Sequence, residues 1–101
     1  MPSTLPILLK DQKILLIGGG NVALQKAEVL AENEISFRII SKEISSAIEK
    51  LTGNIMLKEF DLEDIEDEPI IIDATGNTKV TKKLLEYRKK HCILLNVVDQ
   101  P

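Results

Sequence analysis

Residues 13–30 read KILLIGGGNVALQKAEVL, and the fold turns on how this stretch is parsed. Lys13–Ile17 is a short, almost wholly apolar run, as expected of a strand covered on both faces. Three glycines follow, Gly18, Gly19 and Gly20. A helical stripe then begins at once, with Ala23, Ala27, Leu30 and Ala31 at i, i+4, i+7 and i+8. Gly18-Gly19-Gly20-Asn21-Val22-Ala23 fits G-x-G-x-x-G/A at a strand-to-helix junction, the context in which that pattern has meaning. Gly18 serves the sharp turn, Gly20 the close approach of a pyrophosphate, and Ala23 the tight contact of helix on sheet. The free N–H groups and the dipole of the new helix favour a diphosphate.

The alternation continues outward from that turn. Ile35–Ile40 returns to strand character, and Ser41 stands where a helix cap would precede Ile44, Ala47, Ile48 and Leu51. Thr52-Gly53-Asn54 closes that helix, and Ile55–Phe60 reads as a third strand. The acidic run Glu59–Glu68 has no apolar period and reads as a solvated loop or single turn. Pro69–Ala74 is a fourth strand, Asn77–Lys90 a basic helix with Val80, Leu84 and Leu85 facing inward, and Cys92–Val98 a fifth strand. This pattern predicts an α/β, Rossmann-type doubly wound parallel sheet of order 3-2-1-4-5, with a ligand crevice at the carboxyl ends of strands 1 and 4.

Composition bounds the function. A chain of 101 residues argues for one domain over 1–101, and 44% hydrophobic with 29% charged residues describes a soluble globular protein. A net charge of −3 gives no electrostatic case for nucleic acid, and 3% aromatic residues support no base-stacking platform. The single cysteine, Cys92, reads as a buried thiol in a reducing compartment. No stretch nears the ~20 apolar residues of a membrane span. The N-terminus lacks the basic and long apolar regions of a signal peptide, so a cytoplasmic protein is expected.

The rest of the fingerprint is less regular. An acid about 20 positions on should hold the adenosine ribose, and only Glu43 lies near, slightly late. A first-turn glutamate favoured by the helix dipole explains it equally. Lys42 or Arg38 could instead meet a 2′-phosphate, which leaves NAD against NADP open on these residues. Asp73-Ala74-Thr75-Gly76-Asn77 should face the glycine turn across the switch point, with Asn77 also an ordinary N-cap. Asp99 follows the fifth strand, where substrates of such folds are handled, although an Asp before a turn and Pro101 is commonplace and spacing alone favours a structural role. His91, at a helix C-terminus, has no second ligand at metal spacing, and the acidic run lacks the spacing of a calcium loop, so no metal site is expected. The basic helix around Lys82, Lys83, Arg88, Lys89 and Lys90 reads as a solvated face that could also attract a polyanion.

These residues resemble a family. LPILLKDQKILLIGGGNVALQKAEVL is similar to the opening of the precorrin-2 dehydrogenase/sirohydrochlorin ferrochelatase family, the NAD-binding domain of siroheme synthase. Leu5-Pro6-Ile7, Gly18-Gly19-Gly20, Val22-Ala23, Lys26, Ala74-Thr75 and Asn96-Val97-Val98-Asp99 with Pro101 carry the likeness in order along nearly the whole chain. The resemblance implies NAD-dependent oxidation of precorrin-2 to sirohydrochlorin, with ferrous-iron insertion in many members. It implies cofactor contacts at Gly18, Gly19, Gly20, Asn21 and Val22, at Ser41, Lys42 and Glu43 by the adenosine, and at Ala74 and Thr75. It also implies Asp99 as general base, a tetrapyrrole substrate, and a homodimer in the full-length protein. Gln25 in place of the usual Arg, and Gly76 in place of Asp or Asn, depart from the pattern. Relatives continue beyond the position of Pro101 with a dimerisation segment and a helical module, so a fragment of a longer chain is expected. The competing reading is a regulatory Rossmann module that senses NAD(H) without catalysis. It accounts for the glycines and leaves NVVD.P unexplained.

Overall fold

A computed structural model describes residues 13–98. Five strands form one parallel sheet in the order β3-β2-β1-β4-β5: β1 (Ile14–Ile17), β2 (Phe37–Ser41), β3 (Ile55–Leu57), β4 (Ile70–Asp73) and β5 (Leu94–Val97). The helices are α1 (Asn21–Glu32), the single-turn α2 (Ser46–Glu49) and α3 (Thr78–Lys90), with a 3₁₀ turn at Leu62–Asp64. The order expected from the sequence is the one observed.

β1 is central because all four of its residues are apolar and buried. Ile14 pairs with Phe37 on one side and Ile70 on the other, and Ile17 with Ile40 and Asp73. Side chains alternate between two cores. Ile14, Leu16, Ile39 and Ile72 meet Val22, Ala23, Ala27 and Leu30 of α1. Leu15, Ile17, Ile40 and Ile71 meet Phe60, Ile65 and Leu84. Ala23 and Ala27 are wholly inaccessible, so the small residues of the α1 stripe do bring the helix close to the sheet.

Four expectations need correction. Ser41 is not a helix cap: it ends β2, pairs with Leu57, and accepts the Lys58 N–H at 2.9 Å through its carbonyl. Ser45 caps the shorter α2 instead, its hydroxyl accepting the Ile48 N–H. Leu85 is 36% exposed, while Tyr87 joins Leu84 and Val80 against the second core. Cys92 is exposed, because β5 is an edge strand and Cys92 lies before its first paired residue. The same edge leaves Leu94 at 64% and Val97 at 39% exposure.

The acidic run is not wholly solvated either. It folds back from β3, burying Phe60 and Ile65, and delivers Glu68, 5% exposed, to Arg38. Arg38 Nε donates to Glu68 Oε2 at 2.7 Å and Nη2 to the Asp64 carbonyl at 2.6 Å. Lys58 Nζ holds Asp64 Oδ1 at 2.6 Å. His91 ends α3 with its Nδ1 3.0 Å from the Tyr87 carbonyl and its ring stacked on Tyr87, a packing role. Among the described residues no helix is long and apolar enough to cross a membrane.

Candidate functional site

The glycine turn connects the carboxyl end of β1 to α1, and each glycine has a distinct reason. Gly18 has φ +127° and donates its N–H to the Ile40 carbonyl at 3.0 Å, tying the turn to β2. A Cβ there would lie 2.5 Å from the Ala74 carbonyl oxygen, so β4 and the turn are in direct contact. At Gly19 a Cβ would collide with the Glu43 carbonyl and come within 2.6 Å of Ser41 Oγ. At Gly20 a Cβ would meet nothing within 4 Å. The first two are demanded by the chain's own backbone. The third opens outward, as a residue beside a bound diphosphate should.

Gly20 caps α1 without a side-chain hydrogen bond, and the first turn of α1 contains no acidic residue. Its N-terminal N–H groups therefore face no competing carboxylate of their own helix, and the local field favours an anion. Asn21 is exposed here. Val22 is 7% exposed and packs into the core, which leaves its backbone N–H as its contribution to the turn.

A crevice of about 330 Å³ opens at this point. Gly18, Gly19 and Gly20 form its floor and Ala74, Thr75 and Asn77 one wall. Ser41 and Lys42 form the other wall, extended by Lys58, Glu59 and Phe60. The structure thus gathers most of the expected residues at the switch point between β1 and β4. Glu43 contributes differently from expectation. Its carbonyl accepts the Ser41 hydroxyl at 2.8 Å and closes over Gly19, while its side chain is not among the crevice walls. Lys42 stays on the wall, its Nζ 3.8 Å from Glu59. Arg38 does not: it is committed to Glu68 and lines a separate cavity with Lys13, at the amino end of the sheet, away from the glycine crevice. Asp99 lies outside the described residues.

Sequence reasoning missed the part played by three residues. Lys58 and Glu59 reach the crevice because β3 ends at Leu57, three residues earlier than expected. Their signal was positional, since strand 3 neighbours strand 2 in this order and its carboxyl end must open onto the same side. The third is Asp73, read in the sequence only as part of the turn facing the glycines and found 1% exposed at the last position of β4. Its Oδ1 accepts the Thr75 N–H at 3.0 Å and the Thr75 hydroxyl at 2.6 Å, and its Oδ2 accepts the Thr81 hydroxyl at 2.6 Å. Thr75 Oγ1 in turn accepts the Asn77 N–H at 3.1 Å. A buried carboxylate needs such partners, and here they fix the wall opposite the glycines. Gly76, at φ +62°, completes the turn in a conformation that favours glycine.

Asn77 caps α3, its Oδ1 accepting the Lys79 N–H at 2.9 Å and the Val80 N–H at 3.4 Å. Asn77→Ala is expected to lower unfolding free energy by about 1 kcal/mol, as loss of an N-cap does. A fall in the urea midpoint with unchanged slope would report it.

A strand, a glycine turn and a helix at the switch point of a 3-2-1-4-5 sheet define a Rossmann-type dinucleotide-binding domain. Residues 5–101 match the family described as NAD(P)-binding, and the chain belongs to that family. The siroheme synthase of Ectopseudomonas mendocina (strain ymp) is 32% identical over 95 residues, covering 92% of this chain and 21% of that protein. The siroheme synthase of Buchnera aphidicola subsp. Acyrthosiphon pisum (strain APS) is 31% identical over 101 residues, 94% of this chain and 21% of that one. Among solved structures, SirC, a precorrin-2 dehydrogenase, is similar with a TM-score of 0.74 at 22% identity, over 87% of this chain and 45% of that chain. That likeness is one of fold. The chain spans about a fifth of the length of the curated relatives it matches.

Proposed function

We propose that this chain is the NAD-binding part of a protein that oxidises precorrin-2 to sirohydrochlorin in siroheme biosynthesis. The observation that carries the reading is the crevice itself. Gly20 leaves room where a diphosphate would pass, the first turn of α1 has no acid, and the Ala74–Thr75 wall stands opposite. Family membership supplies the nucleotide class, and the likeness to siroheme synthases supplies the substrate class.

In this reading the N–H groups of Gly19 to Val22 hold the diphosphate, Ser41, Lys42 and Glu43 flank the adenosine, and Ala74 and Thr75 wall the nicotinamide end. NAD, when bound, accepts a hydride from the tetrapyrrole. Asp99 takes the accompanying proton as general base, so that one hydride and one proton leave precorrin-2 together. The same carboxylate assists ferrous-iron insertion in a second, lyase activity. One NAD-binding unit over residues 1–101 sits within a longer, cytoplasmic, homodimeric protein whose other segments complete the substrate cleft.

The longer protein carrying this chain is mixed with precorrin-2 and NAD, and NADH absorbance is followed. Asp99→Ala is expected to lower kcat by about a hundredfold or more, as loss of a general base does, with NAD affinity retained. Absence of NADH formation by the unaltered protein overturns the reading. An undiminished rate in Asp99→Ala overturns the role of that residue.

A further inference from the structure

A second cleft, of about 330 Å³, lies where β5 ends beside the first turns of α3. Its walls are Gly76, Thr78, Thr81, Lys82, Val97 and Val98. The cofactor crevice is walled by Thr75 and Asn77, so the two cavities lie on either side of one turn, with the side-chain-free Gly76 between them. Within the cleft the valines give an apolar surface, and the Thr81 hydroxyl is already engaged by Asp73 at 2.6 Å. Among the described residues Lys82 is the only cation on its walls. Among the described residues its ammonium makes no ion pair.

The surrounding charge has the same sign. α3 carries Lys79, Lys82, Lys83, Arg88, Lys89 and Lys90 against the single acid Glu86, in a chain whose net charge is −3. Of these, Lys89 is compensated by Glu86 at 3.4 Å. Positive potential is therefore concentrated on the helix that borders the cleft, against the sign of the whole molecule, an arrangement that attracts anions.

We propose that this cleft receives a carboxylate-bearing edge of a polycarboxylate ring, with Lys82 pairing the carboxylate and Val97 and Val98 contacting the ring. A volume of about 330 Å³ sits at the low end of small-ligand sites, so it seats one edge and not a whole macrocycle. The identity of the ring as a tetrapyrrole rests on the function proposed above; the preference for an anion with an apolar body rests on the cleft alone. Lys82 is a specificity-determining contact, separate from the cofactor walls.

The test uses uroporphyrin, a tetrapyrrole carboxylated around its rim, titrated by fluorescence into the full chain. The Lys82→Gln variant is compared with Lys90→Gln at the far end of α3. Lys82→Gln is expected to weaken binding about fivefold, the scale of one exposed charge pair, while Lys90→Gln leaves it unchanged. Added salt should weaken the unaltered chain, and NAD affinity by calorimetry should be the same in all three proteins. No uroporphyrin binding, or equal losses in the two variants, overturns the proposal. The titration requires no oxidation. A protein that binds uroporphyrin through Lys82 yet forms no NADH from precorrin-2 would refute the enzymatic reading and leave the cleft assignment standing.

Discussion

Gly18→Val is expected to abolish dinucleotide binding and to destabilise the domain by about 4 kcal/mol. Two costs combine. Gly18 sits at φ +127°, where a side chain is strained by about 1–3 kcal/mol. Its Cβ would also lie 2.5 Å from the Ala74 oxygen and 2.9 Å from the Ala74 carbon. Those are backbone atoms, which cannot swing aside as a side-chain end can, and overpacking of this kind adds about 1–3 kcal/mol. Any relief moves β4 from β1 and so widens the crevice itself. The instructive control is Gly20→Ala, whose Cβ meets nothing within 4 Å. Its fold should be preserved while NAD affinity falls, if the diphosphate passes through that space as proposed. Urea denaturation and calorimetry with NAD separate the two outcomes. A Gly18→Val protein that still binds NAD normally would show that the glycine turn is not the nucleotide site.

The second large effect lies at the opposite end of the sheet. Arg38→Met leaves Glu68, 5% exposed, without its ion-pair partner and releases the Asp64 carbonyl. Stripping one member of a buried pair costs about 3 kcal/mol or more, while replacing both members by apolar residues is often close to neutral. The double variant Arg38→Met/Glu68→Leu should therefore recover most of the loss. A double variant no more stable than Arg38→Met would contradict this account.

The same pair governs acid stability. Burial pushes the Glu68 carboxyl up, but the Arg38 hydrogen bond, the Glu66 N–H and the Arg38 charge outweigh it and hold the carboxyl below its ordinary 4.5. With a folded value below the unfolded one, the unfolded chain binds more protons in that window. The contribution is thus fully present above that ordinary value of 4.5 and is lost as pH falls through the folded value. Glu68→Gln should flatten the decline of stability in acid, measured by urea midpoints over that range.

What could be read from the sequence was whatever depends on neighbours along the chain. Ile14–Ile17, the α1 stripe and the spacing of the glycines are local signals, and the strand–helix alternation that they begin predicts the strand order. Ser41 and Ser45 are equally good caps in isolation. Only the pairing of Ser41 with Leu57 shows that β2 has not yet ended. Glu68 looked solvated because its partner Arg38 stands thirty residues earlier. Cys92 looked buried as the first residue of the expected strand 5, whereas β5 begins only at Leu94, on the edge that the predicted order already gave it. Asp73 was invisible as an organiser because one of its partners, Thr81, comes from the next helix. The glycine turn needed no distant information to be recognised. What the structure added is that Ala74 and Glu43 lie where side chains at Gly18 and Gly19 would have to go.

The contact between Gly18 and Ala74 also has a kinetic meaning. β1 must find β4 across a sequence separation of fifty-six, Ile14 to Ile70, before the crevice has its second wall. The half containing β1, β2 and β3 pairs at shorter sequence separations, so the seam is expected to close late in folding. A nucleotide then recognises only molecules in which that step is complete. It should lengthen the lifetime of the folded state by slowing unfolding, and leave the refolding rate nearly untouched.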